Sequence, residues 1–373
     1  MKICMYSIDA VAQRNTGGVK RFIELMNAFK TEGYAVELFS PDTECAMNEM
    51  EIAGYRFEQS NTDDRKFVGV KSILGNKTIF HEIKKRKFDK VIVFDVRAAI
   101  SLAMNNIPHI CLFLRQDMIA YKEIQYSDKK LNPVKKRVLL TGALVSEAIC
   151  LKRAEKIVVQ CQHDLDKLLE RHRILGNSMK NKCFIQINNI NPSWNKEYKF
   201  REVTEKKYDV SFIGNFRDSR KGHDVLLAAL KEITDAGMEI RAAVIGDGYQ
   251  LQQYENMYKS YSNIEFLDRL KNPMNVVMSS RLLVVPSYED SCPNTVMEGL
   301  FYKIPVIGSN RGGIPEILNR KDWLFEMNAE SIAQTIIYYL DDTNNKKLRE
   351  DQQVRRNELL FDWGKKMIDI VIN

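Results

Sequence analysis

The chain has 373 residues, 45% of them hydrophobic, and this is too long for one ordinary core, so two globular domains of roughly 150–200 residues are expected. Lysine and arginine number 56 against 49 aspartates and glutamates, and the net charge of +7 is too small to indicate an obligate nucleic-acid binder. The seven cysteines form no Cys-x-x-Cys pair, which argues against a disulfide framework or zinc ribbon and favours a reducing cytoplasm. The sequence shows neither a signal-peptide layout nor a run of about 18 apolar residues, so we expect a cytoplasmic protein that at most lies on a membrane.

Strands alternate with helices in the first half of the chain. An amphipathic helix is predicted from about residue 19 to 31, and Gly33 ends it. The apolar runs predict strands at 2–7, 34–39, 90–94, 109–114 and 156–159. This alternation is typical of a doubly wound α/β domain, which we place at residues 1–190.

The alternation starts again after a polar, basic stretch that contains Pro192. We interpret residues 191–207 as an interdomain linker and residues 208–358 as a second α/β domain. Its strands are predicted at 208–213, 240–245, 264–267, 281–285 and 304–308. The aromatic-bearing segment 359–373 is predicted to be a helix that packs back on the first domain.

The turn from Ser287 to Leu300 lies at the carboxyl end of a predicted strand, where open α/β sheets bind their ligands. Two interpretations of its acids remain open. Thr295 and Glu298 match a capping box, in which Glu298 only satisfies a backbone N–H. Alternatively, the N–H groups at Ser291–Thr295 face an anion and the acids bind hydroxyl groups. Asp290 precedes the helix, so capping does not explain it.

A second cluster of charge follows strand 208–213. Gly214 ends this strand, and Arg217, Arg220 and Lys221 crowd the loop before the next helix. We interpret Arg220 as part of a solvated face. Lys221 is predicted to face the turn that carries Asp290 and to hold a phosphate against it, which makes a diphosphate clamp.

These motifs, in this order, resemble a family 4 retaining glycosyltransferase of the GT-B fold. The motifs are Gly214 with Arg220-Lys-Gly222, Gly246-Asp-Gly248, Asn272-Pro-Met274, Val285-Pro-Ser-Tyr-Glu-Asp290, Met297-Glu-Gly299 and Gly312-Gly-Ile-Pro-Glu316. The resemblance is strong over about 208–340 and weaker over 1–190. It implies two Rossmann-like doubly wound domains that face a central cleft.

The resemblance also implies the roles of site residues. Asp290 would contact the donor sugar near the diphosphate, Glu298 would bind the ribose hydroxyls, and Lys221 and Arg217 would stabilise the leaving diphosphate. The expected donor-binding residues are Gly17, Gly18, Gly214, Asn215, Gly246, Leu270, Ser291, Cys292, Pro293, Asn294, Thr295 and Glu298. The expected catalytic residues are Lys221, Arg217, Asp290 and Asp117.

The sequence departs from the family at two places. Asn215 stands where the family commonly has arginine, and Arg217 is the candidate to supply that charge. The family often places a histidine after the strand that corresponds to 109–114, whereas this chain reads Leu114-Arg-Gln-Asp117. Asp117 is therefore the candidate near the anomeric carbon, and His109 is interpreted as structural.

The resulting prediction is a retaining hexosyltransferase that needs no metal or other cofactor. Its donor would be a nucleotide-sugar, with UDP favoured, and its acceptor a glycan or lipid-linked glycan in the synthesis of a surface polysaccharide such as capsule or lipopolysaccharide. Asp164-Leu-Asp166 falls in a helical run at 162–171, where positions i and i+2 do not share a face, so it is not interpreted as a metal site. Two alternatives are a nucleotide-sugar epimerase of the same fold and a non-catalytic nucleotide-sugar-binding subunit.

The basic segment 129–137 leads into the apolar run 138–151, which Glu147 interrupts. One interpretation is that its lysines and Arg137 rest on anionic lipid at the inner face of the cell membrane. The other is an ordinary exposed helix. Both stay open.

Overall fold

A computed structural model of the protein describes residues 1–12, 17–57, 77–191 and 205–373. The chain divides into two compact units. The first comprises residues 1–123, 131–187 and 362–373, and the second comprises 124–130 and 188–361. Most of the predicted linker 191–207 lies at 192–204, outside the described residues.

The first unit contains a seven-stranded parallel sheet with strand order β3-β2-β1-β4-β5-β6-β7. Its strands are β1 (Lys2–Tyr6), β2 (Ala35–Ser40), β3 (Ala53–Arg56), β4 (Lys90–Phe94), β5 (Ile110–Leu114), β6 (Lys156–Val159) and β7 (Cys183–Ile185). All five residues of β5 are apolar and buried, as expected for a parallel strand that helices cover on both faces.

Helices connect these strands in the first half of the chain. They are α1 (Gly17–Thr31), α2 (Glu44–Glu49), α3 (Lys77–Arg86), α4 (Val96–Met104), α5 (Met118–Asp128), α6 (Pro133–Arg153), α7 (Gln162–Arg171) and α8 (Gly176–Lys180). The last helix of the chain, α16 (Trp363–Ile372), also belongs to the first unit. It packs on α1, where the Arg21 guanidinium lies 5.3 Å from the centre of the Trp363 ring. Gly364 approaches Ala28 so closely that an added Cβ would come within 2.6 Å of the Ala28 Cβ.

The second unit contains a six-stranded parallel sheet with strand order β10-β9-β8-β11-β12-β13. Its strands are β8 (Tyr208–Ile213), β9 (Ala242–Ile245), β10 (Ile264–Leu267), β11 (Ser280–Val285), β12 (Val306–Ser309) and β13 (Leu324–Phe325). Its helices are α9 (His223–Asp235), α10 (Leu251–Met257), α11 (Met274–Met278), α12 (Asn294–Phe301), α13 (Ile314–Leu318), α14 (Ala329–Leu340) and α15 (Asp342–Glu358), and a 3₁₀ turn at Ser219–Lys221 precedes α9.

The structure confirms the prediction of two doubly wound parallel sheets. It differs from the sequence analysis at residues 124–130, which were expected in the amino-terminal domain and cluster with the second unit. Within the second unit, Asp128 contacts the turn at Ser219. Its carboxylate accepts hydrogen bonds from the Ser219 N–H at 2.6 Å and the Ser219 hydroxyl at 3.0 Å. On α7, Asp164 is buried and Asp166 is exposed, so these carboxylates do not share a face.

Within the described ranges, no helix is both long enough and apolar enough to cross a membrane.

Candidate functional site

The candidate site of the second unit lies where its strand order reverses. Strands β8 and β11 are neighbours, and the chain builds outward from them in opposite directions along the sheet. The two loops that follow these strands therefore diverge and leave a crevice at the carboxyl edge. One loop carries residues 214–221 and the other carries residues 286–290.

Gly222 lets these two loops meet backbone to backbone. Its φ is +69°, in the left-handed region, and an added Cβ would lie 1.7 Å from the Pro286 carbonyl oxygen. Next to this contact, the Tyr288 N–H donates to the Arg220 carbonyl oxygen at 2.9 Å. A side chain at position 222 would force the loops apart, so the site depends on glycine there.

A third loop, which follows β12, fixes the backbone of Asp290. The Gly313 N–H donates to the Asp290 carbonyl oxygen at 2.9 Å. Gly312 has a φ of +57°, and an added Cβ would come within 2.3 Å of the same oxygen. The Asp290 side chain is thus presented from a backbone held on two sides.

Two cations converge on the Asp290 carboxylate. The Lys221 Nζ lies 2.5 Å from Oδ2, and the Arg220 Nη1 lies 3.2 Å from the same oxygen. The Arg220 Nη1 also donates to the Glu289 carbonyl oxygen at 3.1 Å. All three charged side chains are between 15% and 17% exposed. Burial alone would raise the pKa of Asp290, but the charges of Lys221 and Arg220 outweigh it and hold this pKa below the usual range.

Lys221 and Arg220 both pair with Asp290, and further hydrogen-bond donors stand beside this cluster. The next residue along, Ser291, has a buried hydroxyl group with no hydrogen-bond partner in the part of the chain that the structure describes. Helix α12 begins three residues later, and no side chain caps its amino terminus. Two cations together with these donors favour an anionic ligand such as a phosphate.

A second layer of side chains supports the start of α9. The Tyr288 hydroxyl donates to Asp224 Oδ2 at 3.2 Å, and burial raises the pKa of Asp224 and raises that of Tyr288 to about 12. His223 is fully buried, and its ring centre lies 4.4 Å from that of Phe216. Because burial lowers the pKa of His223 to about 4, this imidazole is neutral at pH 7 and acts as packing under the Lys221 loop.

The expectation for Arg220 is wrong here, and one of the two open interpretations of Glu298 is excluded. Arg220 is not part of a solvated face, because the 3₁₀ turn at Ser219–Lys221 directs it inward to Asp290. The capping box is also absent, since α12 begins at Asn294 with Pro293 at the N-cap position, and Glu298 is therefore not at N3. The proline ring, which fixes its own φ, starts the helix two residues earlier than the capping pattern requires.

The other residues predicted to bind the donor are distributed along the carboxyl edge of the second sheet. Gly214 and Gly246 follow β8 and β9, and Leu270 lies in the loop after β10. The Asn215 Oδ1 accepts a hydrogen bond from the Arg217 N–H at 3.3 Å. Cys292 and Pro293 are buried, whereas Asn294, Thr295 and Glu298 are half-buried on α12.

The side chain of Arg217 is exposed, and its guanidinium forms no hydrogen bond or ion pair with another described residue. The structure therefore brings Arg220, rather than Arg217, to Lys221 and Asp290. The catalytic role of Arg217 stays a prediction.

The amino-terminal unit holds the remaining three predicted residues. Gly17 and Gly18 open α1. Asp117 is buried at the start of α5, where Oδ1 accepts the N–H groups of Ile119 at 3.0 Å and Ala120 at 3.1 Å. Its Oδ2 accepts a hydrogen bond from Arg171 Nη1 at 3.0 Å.

Burial alone would raise the pKa of Asp117, but the hydrogen bond and charge of Arg171 hold it below the usual range. Both carboxylate oxygens are thus engaged in capping and ion pairing. The expectation that Asp117 lies near the anomeric carbon, and its catalytic role, stay predictions.

Sequence reasoning missed Arg220 and Tyr288 as parts of this site. In the sequence, Arg220 is distinguished only by its position next to Lys221. That position does not indicate which of the three nearby cations turns inward. Tyr288 carries no signal, because an aromatic residue before a pair of acids has no fixed structural meaning.

A comparison with models of known protein families finds a match in the second unit. Residues 207–342 match the family model described as Glycosyl transferases group 1. An uncharacterized glycosyltransferase of Methanocaldococcus jannaschii is 29% identical over 178 residues, which cover 45% of this chain and 43% of that protein. The chain spans about half the length of the curated relatives it matches.

Two solved structures resemble the fold along almost the whole chain. One is the lipopolysaccharide outer core galactosyltransferase WaaB in its apo form, with a TM-score of 0.70, 16% identity and coverage of 100% of this chain and 99% of that chain. The other is Anabaena HepE in complex with UDP and glucose, with a TM-score of 0.69, 12% identity and coverage of 99% and 98%. These two similarities show that the fold is the GT-B fold.

Proposed function

We propose that this chain is a glycosyltransferase that moves a hexosyl group from a nucleotide-sugar, with UDP as the favoured nucleotide, to a glycan or lipid-linked glycan. The observation that carries the proposal is the pair of cations on Asp290 at the β8–β11 switch point. This cluster lies inside the region that matches the glycosyltransferase model. The HepE structure, which holds UDP and glucose on the same fold, supports the choice of donor.

Breaking a sugar–phosphate bond leaves negative charge on the nucleoside diphosphate and positive character on the sugar ring. In the proposed mechanism, Lys221 and Arg220 neutralise the leaving diphosphate, and each such donor contributes about 3–4 kcal/mol to the transition state. Asp290, which pairs with both cations here, would contact the sugar next to the diphosphate. The mechanism needs no metal ion, and retention of the anomeric configuration is part of the proposal.

Glu298 is assigned to the ribose hydroxyl groups of the donor. It is half-buried on α12, eight positions after Asp290. Since Glu298 is not at the N3 position of this helix, the capping explanation for its carboxylate falls away. A carboxylate that accepts two hydroxyl groups is a strong recognition element for ribose.

The acceptor side of the proposal rests on α6. Three valines, Val134, Val138 and Val145, are 72%, 59% and 53% exposed, and their spacing places them along one stripe of the helix. Lys135 and Arg137 are exposed beside this stripe. We propose that the basic segment 129–137 and the valine stripe rest on anionic lipid at the inner, cytoplasmic face of the cell membrane.

Glu147 interrupts the apolar run 138–151 in the sequence, but its side chain does not lie on this surface. It points inward, where it accepts hydrogen bonds from His172 Nε2 at 2.6 Å and Arg171 Nε at 3.0 Å. A membrane location suits a lipid-linked acceptor. Together with the resemblance to a lipopolysaccharide galactosyltransferase, it supports a role in the assembly of a surface polysaccharide.

Incubation with a panel of UDP- and GDP-sugars tests this function. Release of nucleoside diphosphate that depends on an added glycan or lipid-linked acceptor supports transfer, and the active donor identifies the base and the sugar. Interconversion of donor sugars without release would instead support an epimerase. Binding without turnover, with any acceptor, would support a non-catalytic subunit.

A further inference from the structure

One tyrosine of the second unit, Tyr288, ties the loop after β11 to the start of α9 at two points. Its backbone N–H donates to the Arg220 carbonyl oxygen at 2.9 Å. Its hydroxyl group donates to Oδ2 of Asp224, the second residue of α9, at 3.2 Å. Lys221 lies between these two partners in the chain, and Asp290 follows Tyr288 by two residues. Tyr288 therefore joins the segment that carries Lys221 to the loop that carries Asp290.

The hydrogen bond between Tyr288 and Asp224 is partly shielded from water. Both residues are half-buried, and within the described ranges Tyr288 supplies the only side-chain hydrogen bond to the Asp224 carboxylate. A carboxylate in such a position is costly to bury without a donor. Because burial raises the pKa of Tyr288 to about 12, its hydroxyl group keeps the proton at pH 7 and can donate it. The pair is therefore a directional tie that persists at neutral pH.

The loop at residues 286–288 is otherwise held through its backbone. The Pro286 carbonyl group lies against Gly222, and the Ser287 carbonyl oxygen accepts a hydrogen bond from the Ser309 hydroxyl group at 2.6 Å. The Ser287 hydroxyl group has no hydrogen-bond partner in the part of the chain that the structure describes. The Tyr288 hydroxyl group is thus the side-chain group that connects this loop to α9, and a substitution can remove it without a change to the backbone contacts.

We propose that Tyr288 is a positioning residue for the transfer reaction, an inference that rests on the proposed function. Through Asp224, it fixes the loop after β11 on α9 and so sets the separation between the Lys221 ammonium group and the Asp290 carboxylate. Tyr288 and Asp224 do not themselves bind the donor, and they act through the two groups that do. A displacement of about 1 Å at a reacting centre can cost about 10²-fold in rate, so the loss of one such tie should affect turnover.

Steady-state kinetics of Tyr288→Phe, with the donor found in the sugar panel, test this role. The change removes the hydroxyl group and keeps the ring. We expect kcat to fall by about tenfold or more and KM for the donor to stay within about twofold of wild type, because the displaced groups act on the transition state. Asp224→Ala removes the acceptor and should give a similar loss. Asp224→Asn keeps an acceptor oxygen and should retain most of the activity.

The matched control is Tyr261→Phe. The Tyr261 hydroxyl group donates to Asp235 Oδ1 at 3.0 Å, at the opposite end of α9 from Asp224. This variant loses the same kind of hydrogen bond from the same helix, away from the candidate site, and should keep the wild-type kcat. A second comparison repeats Tyr288→Phe in the Lys221→Ala background, where its effect on kcat should be much smaller than in the wild type.

A wild-type kcat in a folded Tyr288→Phe protein would overturn the assignment. An equal fold-change in the wild-type and Lys221→Ala backgrounds would also overturn it, because the tyrosine would then act on general stability. If Tyr288→Phe does not fold, Asp224→Ala takes its place, and a wild-type kcat in that variant would count equally against the role. If Lys221→Ala lowers kcat while Tyr288→Phe does not, the proposed function stands and this inference fails. If the wild type transfers no sugar from any donor of the panel, both fail.

Discussion

The Lys221 ammonium group lies 2.5 Å from Asp290 Oδ2, and this ion pair joins the loop after β8 to the loop after β11. The pair forms at the switch point of the second sheet, from side chains that are largely buried. A ligand phosphate that enters the crevice would meet a lysine already held in place. This preorganisation is the physical basis of the proposed catalysis.

Removal of this lysine should act mainly on turnover, because Arg220 still pairs with Asp290 after the change. Lys221→Ala is expected to lower kcat by roughly 10²–10³-fold, the effect of losing one donor to the developing charge. Lys231→Ala is a matched control, because Lys231 is an exposed lysine on α9 that pairs with Asp235 four residues on and lies over the Tyr261 ring, away from the candidate site. Steady-state kinetics with the donor found in the sugar panel measure both, and an unchanged kcat in Lys221→Ala would remove Lys221 from the site.

The lowered pKa of Asp290 makes a prediction about stability against pH. A carboxyl group with a depressed pKa in the folded state adds stability above its unfolded value, near 3.8, and this is lost as pH falls through the folded pKa. Asp290→Asn should therefore cost about 1–3 kcal/mol of the free energy of unfolding at pH 7. The difference in the free energy of unfolding between Asp290→Asn and the wild type should shrink progressively below pH 4. Urea titrations at pH 7, 5, 4 and 3 measure it, and a gap that is constant with pH would contradict the ion-pair assignment.

The contact at Gly222 can be tested against another glycine of similar conformation. Gly222→Ala should lower the free energy of unfolding by about 2–4 kcal/mol, because it combines a positive φ with a clash at the Pro286 carbonyl. Gly237 has a φ of +83° and open space around it, so Gly237→Ala should cost about 1 kcal/mol from φ alone. Equal losses in the two variants would show that the approach of the loops is not needed.

The ribose assignment of Glu298 separates binding from stability. Glu298→Gln should weaken nucleoside diphosphate affinity by about tenfold, because the carboxylate is lost, and should leave the melting temperature within a few degrees of wild type. Calorimetric titration and thermal melting on the same preparation give both values. A large fall in melting temperature with unchanged affinity would assign Glu298 to structure instead.

The membrane proposal predicts salt-sensitive binding to anionic vesicles. Charge reversal of both Lys135 and Arg137 should weaken binding strongly, since each exposed cation contributes about 1 kcal/mol near an anionic surface. Reversal of Lys152 and Arg153, exposed at the other end of α6, makes the same change in charge away from the valine stripe and should have a smaller effect. Vesicle sedimentation at low and high salt is the measurement, and no binding at low salt would favour a soluble acceptor.

The parts of the fold that carry a strong apolar pattern could be predicted from the sequence. Strand β4 was predicted at 90–94 and is observed at Lys90–Phe94, because four of its five residues form the continuous apolar run that is typical of a parallel strand covered on both faces. Strand β3, Ala-Gly-Tyr-Arg, was missed because its residues are mostly exposed and its composition gives no such signal. Strand β13 has only two residues, too few for any pattern.

The location of the candidate site could be predicted from the sequence, but the pairs of side chains that form it could not. The sequence identified the loops after β8 and β11 because glycine, cations and acids cluster there. It could not say that Arg220 turns inward and Arg217 outward, because that depends on the phase of a 3₁₀ turn that only the folded loop defines.

Hydrogen exchange of backbone amides, with and without UDP or GDP, tests the central claim most directly. The account predicts that the bound nucleotide slows exchange at residues 214–222 and 286–295, the two loops that meet at the Lys221–Asp290 pair. Lys221→Ala should reduce this protection at the same nucleotide concentration. Nucleotide binding that protects other parts of the chain, and leaves these two loops unchanged, would contradict the account.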